Sequence, residues 1–423
     1  MKTLLVGGRV VDPSQGLDEQ MDVLIEDGKI KALGAAITEE AENTINVQGK
    51  VIMPGFIDLH VHLREPGFEY KETIATGSQA AARGGVTTIC PMPNTKPVID
   101  SPERVKDLLE RAKDAPVHIL PIGAVTLGQE GKELADIAGM KEAGAVALSE
   151  DGKSVMDTLV FRHGLQEAAA QDIPMFSHCE DKALVDGGVM NAGDKAKELG
   201  LPGITNAVED VIVARDILMA KETGCRLHLC HCSTADSAVL VEMAKKQGLP
   251  VTAEVCPHHF TMSDDEITED HGRFKMNPPL RSRADVEALK KALADNVMEV
   301  ISTDHAPHGA EEKDQSMRKA PFGIVGLETS FALSYTELVK GGVMSLSDLV
   351  AKMSTNPAKV LRIPKGTLRP GSAADVVVAD IDTEYHIDSS TFASKGKNTP
   401  FDGKAVYGQI EKTFVDGRLV YEK

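Results

Sequence analysis

Between residues 55 and 360 the chain alternates short apolar runs with longer amphipathic stretches, and this rhythm limits the possible folds more than any other feature. Stretches such as Glu103–Lys113, Asp210–Thr223 and Ser237–Gln247 carry apolar residues at helical spacing. The apolar runs are Val86–Ile89, Val117–Leu120, Ala145–Leu148, Leu227–Cys230, Val251–Ala253 and Val300–Ser302. Strand–helix repetition over ~250–300 residues is typical of a parallel α/β fold, whose commonest closed form is the (β/α)8 TIM barrel. We therefore predict a barrel over residues 55–363.

The two ends of the chain have a different pattern, in which short β-rich runs are separated by turns. These runs are Thr3–Val6, Asp22–Glu26, Asp375–Ala379, Lys412–Val415 and Leu419–Tyr421. Turn pairs such as Asp27-Gly28 and Asp416-Gly417 follow two of them, as in β-hairpins. We predict that residues 1–54 and 364–423 together form one small β-sandwich module beside the barrel.

Charge and composition exclude several classes of function. The formal net charge is −18, whereas a protein that binds nucleic acid needs a basic surface. No run of 18 or more apolar residues is present, so we expect no membrane span. The six cysteines are too few for a disulfide framework in 423 residues, which favours a reducing cytoplasm. Because an acidic surface repels small anions, an anionic substrate would require a local cluster of cations.

The strongest chemical signal is the segment Asp58-Leu59-His60-Val61-His62, which directly follows an apolar run. Alternate residues of a strand face the same way, so His60 and His62 are predicted to point together into the mouth of the barrel. Two neutral imidazoles at this spacing are suitable zinc ligands. A pair of ordinary histidines on an exposed strand has the same pattern, so the motif alone does not decide.

Three further metal-capable side chains follow predicted strands. His178 ends the run Ile173–Ser177, His231 ends Leu227–Cys230, and Asp304 ends Val300–Thr303. Barrel active sites are built at the carboxyl ends of the strands, so agreement among several strand ends is hard to attribute to chance. The cysteines beside His231, in contrast, lie in the opposite strand phase and are predicted to pack behind the strand.

This set of residues resembles the amidohydrolase superfamily, which has His-x-His on the first strand, single histidines on the fifth and sixth, and an aspartate on the eighth. Many members bind two metals bridged by a carboxylated lysine on the fourth strand, but Gly144–Gly152 contains no lysine. The bacterial class of dihydroorotases bridges its metals with an aspartate, which implies Asp151 here, with Lys153 or Glu150 as alternatives. The resemblance thus implies two zinc ions per subunit, held by His60, His62, Asp151, His178, His231 and Asp304.

More specific segments carry the likeness to dihydroorotases over essentially the whole chain. They are His62-Leu63-Arg64-Glu65-Pro66-Gly67, Met92-Pro93-Asn94-Thr95, Phe274–Arg281, Thr303–His308 and Ala320–Gly323. The likeness implies zinc-dependent, reversible hydrolysis of the cyclic amide of dihydroorotate to N-carbamoyl-aspartate, in de novo pyrimidine biosynthesis. Asp304 would accept the proton of the attacking water and return it to the leaving nitrogen.

Arg64 is the candidate for the local cation. It lies two residues after His62, and a planar guanidinium suits the carboxylate that distinguishes dihydroorotate from hydantoin or dihydropyrimidine. A surface ion pair with Glu65 or Glu69 is the alternative explanation. By resemblance, Asn94 and His308 complete the carboxylate site, while Asn277 and the Phe322-Gly323 backbone hold the ring; His62 also borders the substrate.

Two other functions remain open from the sequence. The first is a hydantoinase or allantoinase on the same scaffold, and the second is a non-catalytic scaffold partner of aspartate transcarbamoylase. The family likeness also implies a homodimer and leaves open an association of the active enzyme with that transcarbamoylase. The polar segment 309–319 is either a mobile lid over the site or a plain solvated loop.

Overall fold

Parallel strands separated by helices occupy the middle of the chain in the computed structural model, which describes residues 2–423. The strands are β1 (Lys2–Asp12), β2 (Leu17–Glu26), β3 (Lys29–Gly34), β4 (Asn43–Asn46), β5 (Val51–Pro54), β6 (Phe56–Val61), β7 (Val86–Pro91), β8 (His118–Ile119), β9 (Ile122–Ala124), β10 (Ala147–Ser149), β11 (Met175–Ser177), β12 (Met190–Asn191), β13 (Gly203–Ile204), β14 (Leu227–Leu229), β15 (Val251–Val255), β16 (Val300–Ile301), β17 (Val376–Asp380), β18 (Tyr385–His386), β19 (Ala405–Val406), β20 (Gln409–Val415) and β21 (Arg418–Glu422). The helices are α1 (Ile74–Arg83), α2 (Pro102–Arg111), α3 (Ile137–Ala143), α4 (Thr158–Ala170), α5 (Lys182–Val185), α6 (Asp194–Leu199), α7 (Ala207–Thr223), α8 (Ala235–Lys246), α9 (Pro257–Thr261), α10 (Arg283–Ala294), α11 (Ala310–Lys313), α12 (Ser330–Ser334), α13 (Leu346–Val350) and α14 (Asn356–Leu361).

Several helices begin where a hydroxyl side chain can cap them. Thr73, Ser101, Thr234 and Ser282 each accept a hydrogen bond from a backbone N–H in the first turn of α1, α2, α8 and α10, respectively. Such caps satisfy donors that have no partner within the helix. The three helices predicted from apolar spacing correspond to α2, α7 and α8, which confirms their existence and shifts their ends by a few residues.

The central strands form parallel sheets that deliver their carboxyl ends to one side of the molecule. Strands β6, β7 and β8 form one sheet, and β9, β10, β11, β14, β15 and β16 form another. Every neighbouring pair within them is parallel. At the strand ends, Val61 forms a parallel bridge with His305, and the N–H of His62 donates to the His305 carbonyl at 2.8 Å. The first and last of these strands are therefore hydrogen-bonded neighbours at the side where the strands end.

Apolar side chains fill the space between the parallel strands. The set includes Ile57, Leu59, Met92, Ile122, Ala147, Phe176 and Val300. A larger cluster packs the helices against the outer face of the strands. Both faces of these sheets are therefore covered by apolar contacts, which explains why the strand sequences are nearly continuous apolar runs.

The two ends of the chain meet in one eight-stranded sheet. Its order is β21-β20-β17-β5-β1-β2-β3, and β4 lies beside β1. Strands β5 and β17 pair antiparallel, from Val51 opposite Ala379 to Pro54 opposite Val376, which joins the N-terminal and C-terminal parts. This sheet has a separate apolar core, which includes Leu5, Val10, Val23, Ile52, Val376, Val378 and Phe414.

Segment 309–319 is partly anchored. Its first turn is helix α11, and the side chains of Lys313 and Met317 are both buried. Asp270 accepts hydrogen bonds from the Ser316 hydroxyl at 2.6 Å and from the Met317 N–H at 2.7 Å. The idea of a plain solvated loop is therefore wrong for this segment.

None of the helices formed by residues 2–423 combines the length and apolarity required to cross a bilayer.

Candidate active site

Six buried side chains from five strand ends converge in one cluster. His60 belongs to β6 and His62 follows it, while His178 comes directly after β11. The remaining members lie just beyond β10, β14 and β16; they are Asp151, His231 and Asp304. All six are at most 6% exposed. The strand-end residues singled out in the sequence are thus neighbours in space.

The cluster divides into two overlapping groups of ligand atoms. His60, His62 and Asp151 form the first, Asp151, His178 and His231 form the second, and within each group the ligand atoms lie within 4.8 Å of one another. Asp151 belongs to both. One carboxylate oxygen of Asp151 is 3.2 Å from His60 Nε2 and 3.5 Å from His178 Nδ1, and the other is 3.6 Å from His62 Nε2.

These separations fit metal binding. Ligand atoms placed ~2.0–2.2 Å from a tetrahedral zinc ion are about 3.3–3.6 Å apart, close to the spacings around Asp151. His60 Nε2, which faces Asp151, is also buried without a hydrogen-bond partner among the described residues. Imidazole and carboxylate donors suit zinc and related divalent ions. The structure therefore has histidine and aspartate groups that could bind metal.

The electrostatics of the cluster also favour a cation. Burial raises the pKa of Asp151, but His60 and His178 lower it further, so the carboxylate stays ionised. Burial lowers the pKa of His178, but Asp151 and Glu180 raise it to about 10. Without another cation, the cluster therefore attracts protons. A metal ion would compete with those protons, so its affinity should fall as the pH falls.

Glu150 and Lys153, the alternatives to Asp151, point elsewhere. Glu150 accepts hydrogen bonds from the backbone N–H groups of Val125 and Thr126, both at 3.1 Å. Lys153 is exposed, and its ammonium faces the Gly128 carbonyl at 3.4 Å. Asp151 is the only one of the three that lies among the histidines.

Behind His60 lies a layer of residues that the sequence did not reveal. Glu254 of β15 accepts from His60 Nδ1 and from His228 Nε2, each at 3.0 Å. Burial raises the pKa of Glu254, but the hydrogen bonds of His228 and His60 hold it well below its ordinary value. The buried Cys230 thiol also lies within 4.8 Å of ligand atoms of His60 and Glu254.

Several site residues adopt left-handed backbone conformations. The φ angles are +62° at Arg64, +35° at His231 and +48° at Asp304. Non-glycine residues adopt this region at a cost of order 1–3 kcal/mol, and such residues cluster at functional sites. For Arg64 the angle means that simple strand alternation does not set its direction, because β6 ends at Val61.

A cavity of about 230 Å³ opens beside the cluster, and Arg64 lines its wall. The guanidinium donates from Nε to the Pro307 carbonyl at 3.2 Å, and Nη2 lies 3.3 Å from His308 Nε2. Among residues 2–423, no carboxylate oxygen lies within 4.0 Å of the Arg64 guanidinium, the distance that defines an ion pair. Glu65 instead faces Arg111 and Glu69 accepts from the Gly67 N–H, so the surface-pair explanation of Arg64 is wrong.

His308 leaves the Arg64 donors available. Burial, with the charges of Arg64 and Lys71, lowers the pKa of His308 far below its ordinary value, so the ring is neutral. Its Nε2–H donates to the Phe322 carbonyl at 2.8 Å, and its Nδ1 accepts from Lys71 at 3.1 Å. A protonated Nε2 cannot also accept from Arg64, whose Nη2 keeps an unsatisfied donor.

The predicted substrate residues His62, Asn94, Asn277, Phe322 and Gly323 line the cavity, whereas His308 is not part of its lining. Asn94 has its oxygen 3.0 Å from His62 Nδ1 and donates from its nitrogen to Asp151 at 3.0 Å. Asn277 donates to Glu180, a cavity residue that no sequence motif indicated. Gly323 has a φ of +132°, and a Cβ there would lie 2.7 Å from Ala306. Only glycine fits at this close approach of two loops.

Comparison with known proteins agrees with this geometry. A protein-family model described as Dihydro-orotase-like matches residues 49–237. The chain is 49% identical to a dihydroorotase from Syntrophus aciditrophicus (strain SB) over 100% of both chains. It is 50% identical to a dihydroorotase from Pelotomaculum thermopropionicum, over 100% of this chain and 99% of the relative. Its structure is similar to the L-hydantoinase (dihydropyrimidinase) from Arthrobacter aurescens, with a TM-score of 0.89, 30% identity and coverage of 100% and 96%.

The fold, the cluster and these relatives define a hydrolase that acts on cyclic amides. Within that class the full-length identity is decisive, since it spans the parallel strands, the cluster and the terminal sheet alike. The chain belongs to the dihydroorotase family.

Proposed function

We propose that this chain hydrolyses the ring amide of dihydroorotate reversibly to N-carbamoyl-aspartate, a step of de novo pyrimidine biosynthesis. The observation that carries the proposal is Arg64, a guanidinium without a carboxylate partner on the wall of the cavity that the histidine–aspartate cluster also lines. The cavity volume of about 230 Å³ is below the ~300–1,000 Å³ of sites for drug-sized ligands. A small ring bearing one carboxylate matches both properties.

The proposal includes two zinc ions. His60, His62 and Asp151 would hold one and Asp151, His178 and His231 the other, with Asp304 also facing the pair and Asp151 as the bridge. When bound, zinc supplies Lewis acidity, which lowers the pKa of water toward neutrality and polarises a carbonyl group. Cobalt or manganese could bind the same ligand types.

Substrate orientation follows from the charges around the cavity. Arg64 would bind the exocyclic carboxylate, with Asn94 and His308 beside it, since a charge-assisted bidentate pair fixes both position and direction. Asn277 donates its N–H to Glu180, which leaves its carbonyl oxygen as an acceptor for a ring N–H. The Phe322-Gly323 backbone and His62 would border the remaining faces of the ring.

Asp304 is the proposed general base and acid. Its carboxylate lies 3.0 Å from His62 Nε2 and 3.5 Å from His60 Nε2, on the cavity side of the cluster. Burial raises the pKa of Asp304, but His60 and His62 lower it further, so the group begins as the proton acceptor. It would take a proton as water adds to the ring carbonyl carbon and give it to the nitrogen as the C–N bond breaks.

The architecture is part of the proposal. We infer a closed, eight-stranded (β/α)8 barrel, because the Val61–His305 bridge links its first and last strands. Its strands are β6, β7, the pair β8 and β9 counted as one interrupted strand, β10, β11, β14, β15 and β16. The barrel would comprise residues 55–363, and residues 1–54 and 364–423 would form the β-sandwich module.

We also propose a cytoplasmic location, since all six cysteines keep free thiols, as a reducing compartment maintains. A homodimer and an association with aspartate transcarbamoylase stay predictions, which light scattering with and without that enzyme would test.

The deciding experiment is ultraviolet-monitored turnover of dihydroorotate on protein of known metal content, with hydantoin, dihydrouracil and allantoin assayed alongside. We expect fast turnover of dihydroorotate, loss of activity on chelation and weak activity on the other three rings. Activity only on rings without a carboxylate would favour a hydantoinase or allantoinase. Metal-loaded protein that turns over none of the four would favour a scaffold role.

The Asp304→Asn variant tests the proton transfer separately. Its kcat should fall by about 10²–10⁴-fold, the range typical of general acid–base groups, while its metal content matches that of the wild type. Asp295→Asn, at an exposed residue that pairs with Lys291, is the matched control and should keep full activity. Full activity of Asp304→Asn with both metals bound would remove Asp304 from this role.

A further inference from the structure

Lys313, the last residue of α11, is a buried lysine without an acidic partner. Its side chain is 3% exposed, and among residues 2–423 no carboxylate lies within 4.0 Å of its ammonium group. A lone buried charge is strongly unfavourable unless hydrogen bonds compensate it. Three backbone carbonyls do so, since the ammonium donates to Lys275 and Pro321, both at 2.9 Å, and to Gly323 at 2.8 Å. All three donors of the ammonium are thereby used.

The three carbonyls belong to two segments that face the proposed substrate ring. Lys275 lies two residues before Asn277, while Pro321 and Gly323 enclose Phe322. Asn277, Phe322 and Gly323 all line the cavity. One direct hydrogen bond, from the Gly323 N–H to the Lys275 carbonyl at 3.0 Å, also links the segments. Lys313 therefore binds both walls of the ring site from behind.

The position of Gly323 makes this contact consequential. The Gly323 backbone is so close to Ala306 and His308 that a Cβ would lie 2.7 Å from the first and 3.1 Å from the second. The Gly323 carbonyl also accepts from Asn398 Nδ2 at 3.0 Å. A shift of this peptide would thus move the Phe322 carbonyl, which holds His308 beside Arg64.

We propose that Lys313 is a positioning residue for the cyclic substrate, and that its ammonium holds the segments 275–277 and 321–323 together before the ring binds. The inference rests on the proposed function, because it concerns the same cavity. Three convergent carbonyls suit a compact ammonium with three tetrahedral donors, whereas the planar fork of arginine does not match them. Lys313 forms no hydrogen bond or ion pair with the six cluster residues, so its removal should change substrate binding and leave metal binding intact.

The test compares Lys313→Met with Lys319→Met, which removes an exposed lysine of the same segment. For Lys313→Met, the KM for dihydroorotate should rise about tenfold or more, as expected when hydrogen bonds to a charged group are lost, while kcat changes much less. Metal content should equal that of the wild type, and Lys319→Met should match the wild type throughout. A purely structural role would lower kcat, thermal stability and metal content without this separation of KM from kcat.

A second variant keeps the proposal testable if Lys313→Met does not fold. Lys313→Gln retains one donor group and should raise KM by a smaller factor. Unchanged KM in a folded, metal-loaded variant would overturn the positioning role, and so would equal KM values in the Lys313 and Lys319 variants. Failure of the proposed function is a distinct outcome: wild-type protein loaded with metal would then not turn over dihydroorotate, whatever the Lys313 variants do with another cyclic amide.

Discussion

The carboxylate of Glu254 accepts a hydrogen bond from His60 Nδ1 at 3.0 Å. Because this bond fixes the proton on Nδ1, the lone pair of Nε2 is directed toward Asp151, 3.2 Å away. The second oxygen of Glu254 lies 3.0 Å from His228 Nε2, which prevents the carboxylate from turning. Glu254 therefore sets both the tautomer and the orientation of His60, as a carboxylate behind a metal-binding imidazole commonly does.

We expect Glu254→Gln to lower metal affinity by about 10–100-fold, because loss of such a partner weakens the ligand it orients. Competition with a chromophoric chelator at fixed pH measures the change directly. Glu242→Gln is the matched control, since the half-exposed Glu242 pairs with Lys246 on α8. Equal affinity in the two variants would mean that Glu254 does not orient a metal ligand.

The contrast between His60 and Glu254 shows what the sequence can predict. His60, His178 and Asp304 could be identified because each follows an apolar strand, and parallel strands end on the same side. Glu254 is a single acid inside the strand Val251–Val255, and its partner His60 is 194 residues away along the chain. An acidic residue within an apolar run indicates that Glu254 has a buried polar partner. Only the folded structure shows that this partner is His60.

Lys313 was beyond sequence reasoning for a different reason. It lies in a polar segment among charged neighbours, where a solvated side chain is the ordinary expectation. Its burial depends on carbonyls of Lys275, Pro321 and Gly323, and backbone carbonyls carry no residue-specific signature. The strands and helices predicted from apolar periodicity, in contrast, each lie within a few residues of an observed element.

Arg64→Lys tests the carboxylate site. The variant keeps the positive charge but loses the planar pair of donors, so kcat/KM for dihydroorotate should fall by about 10²-fold. Metal content should not change, because Arg64 contacts none of the cluster residues within hydrogen-bond distance. Arg111→Lys, on the exposed face of α2, is the control for the same exchange. If both variants keep wild-type kinetics, Arg64 does not bind the substrate carboxylate.

Glu180 and Asn277 should act as one unit. Because Asn277 donates its N–H to Glu180, removal of the carboxylate frees the amide to turn and present the wrong group to the ring. We expect Glu180→Ala to lower kcat/KM for dihydroorotate about tenfold, the effect of one hydrogen bond to a charged group. A double-mutant cycle with Asn277→Ala is the decisive measurement, and the double variant should be no worse than Asn277→Ala alone.

Strictly additive losses in that cycle would contradict the coupling. Glu180 also lies 3.8 Å from His178 Nε2, so metal content must be measured for every variant of the cycle. A loss of metal in Glu180→Ala that is absent from Asn277→Ala would mean that Glu180 acts mainly by orienting His178. Retained metal with non-additive kinetics would mean that it acts by orienting Asn277.

Asp375 should make the stability of the molecule depend on pH in the acid range. This carboxylate, just before β17, is buried and lies 2.6 Å from the Lys365 ammonium and 3.4 Å from Nε2 of His118 in β8. Burial raises its pKa, but His118 and Lys365 lower it further, to a value below the ordinary 3.8. Its stabilising contribution is therefore complete above the unfolded-state pKa and is lost as the pH falls through the lower, folded-state pKa.

We accordingly expect Asp375→Asn to reduce the free energy of unfolding at pH 7 by roughly 1–3 kcal/mol, since the partly buried Lys365 charge then keeps a weaker partner. The difference between variant and wild type should shrink as the pH falls below about 4, where the unfolded-state carboxylate takes up its proton, and should vanish below the lower, folded-state pKa. Denaturant unfolding of chelator-treated proteins measures both effects without a contribution from metal loss. Asp382→Asn removes an exposed carboxylate of the same terminal module and should show neither effect. A pH-independent difference for Asp375→Asn would mean that the residue stabilises the junction through shape and neutral hydrogen bonds, and that its charge contributes nothing.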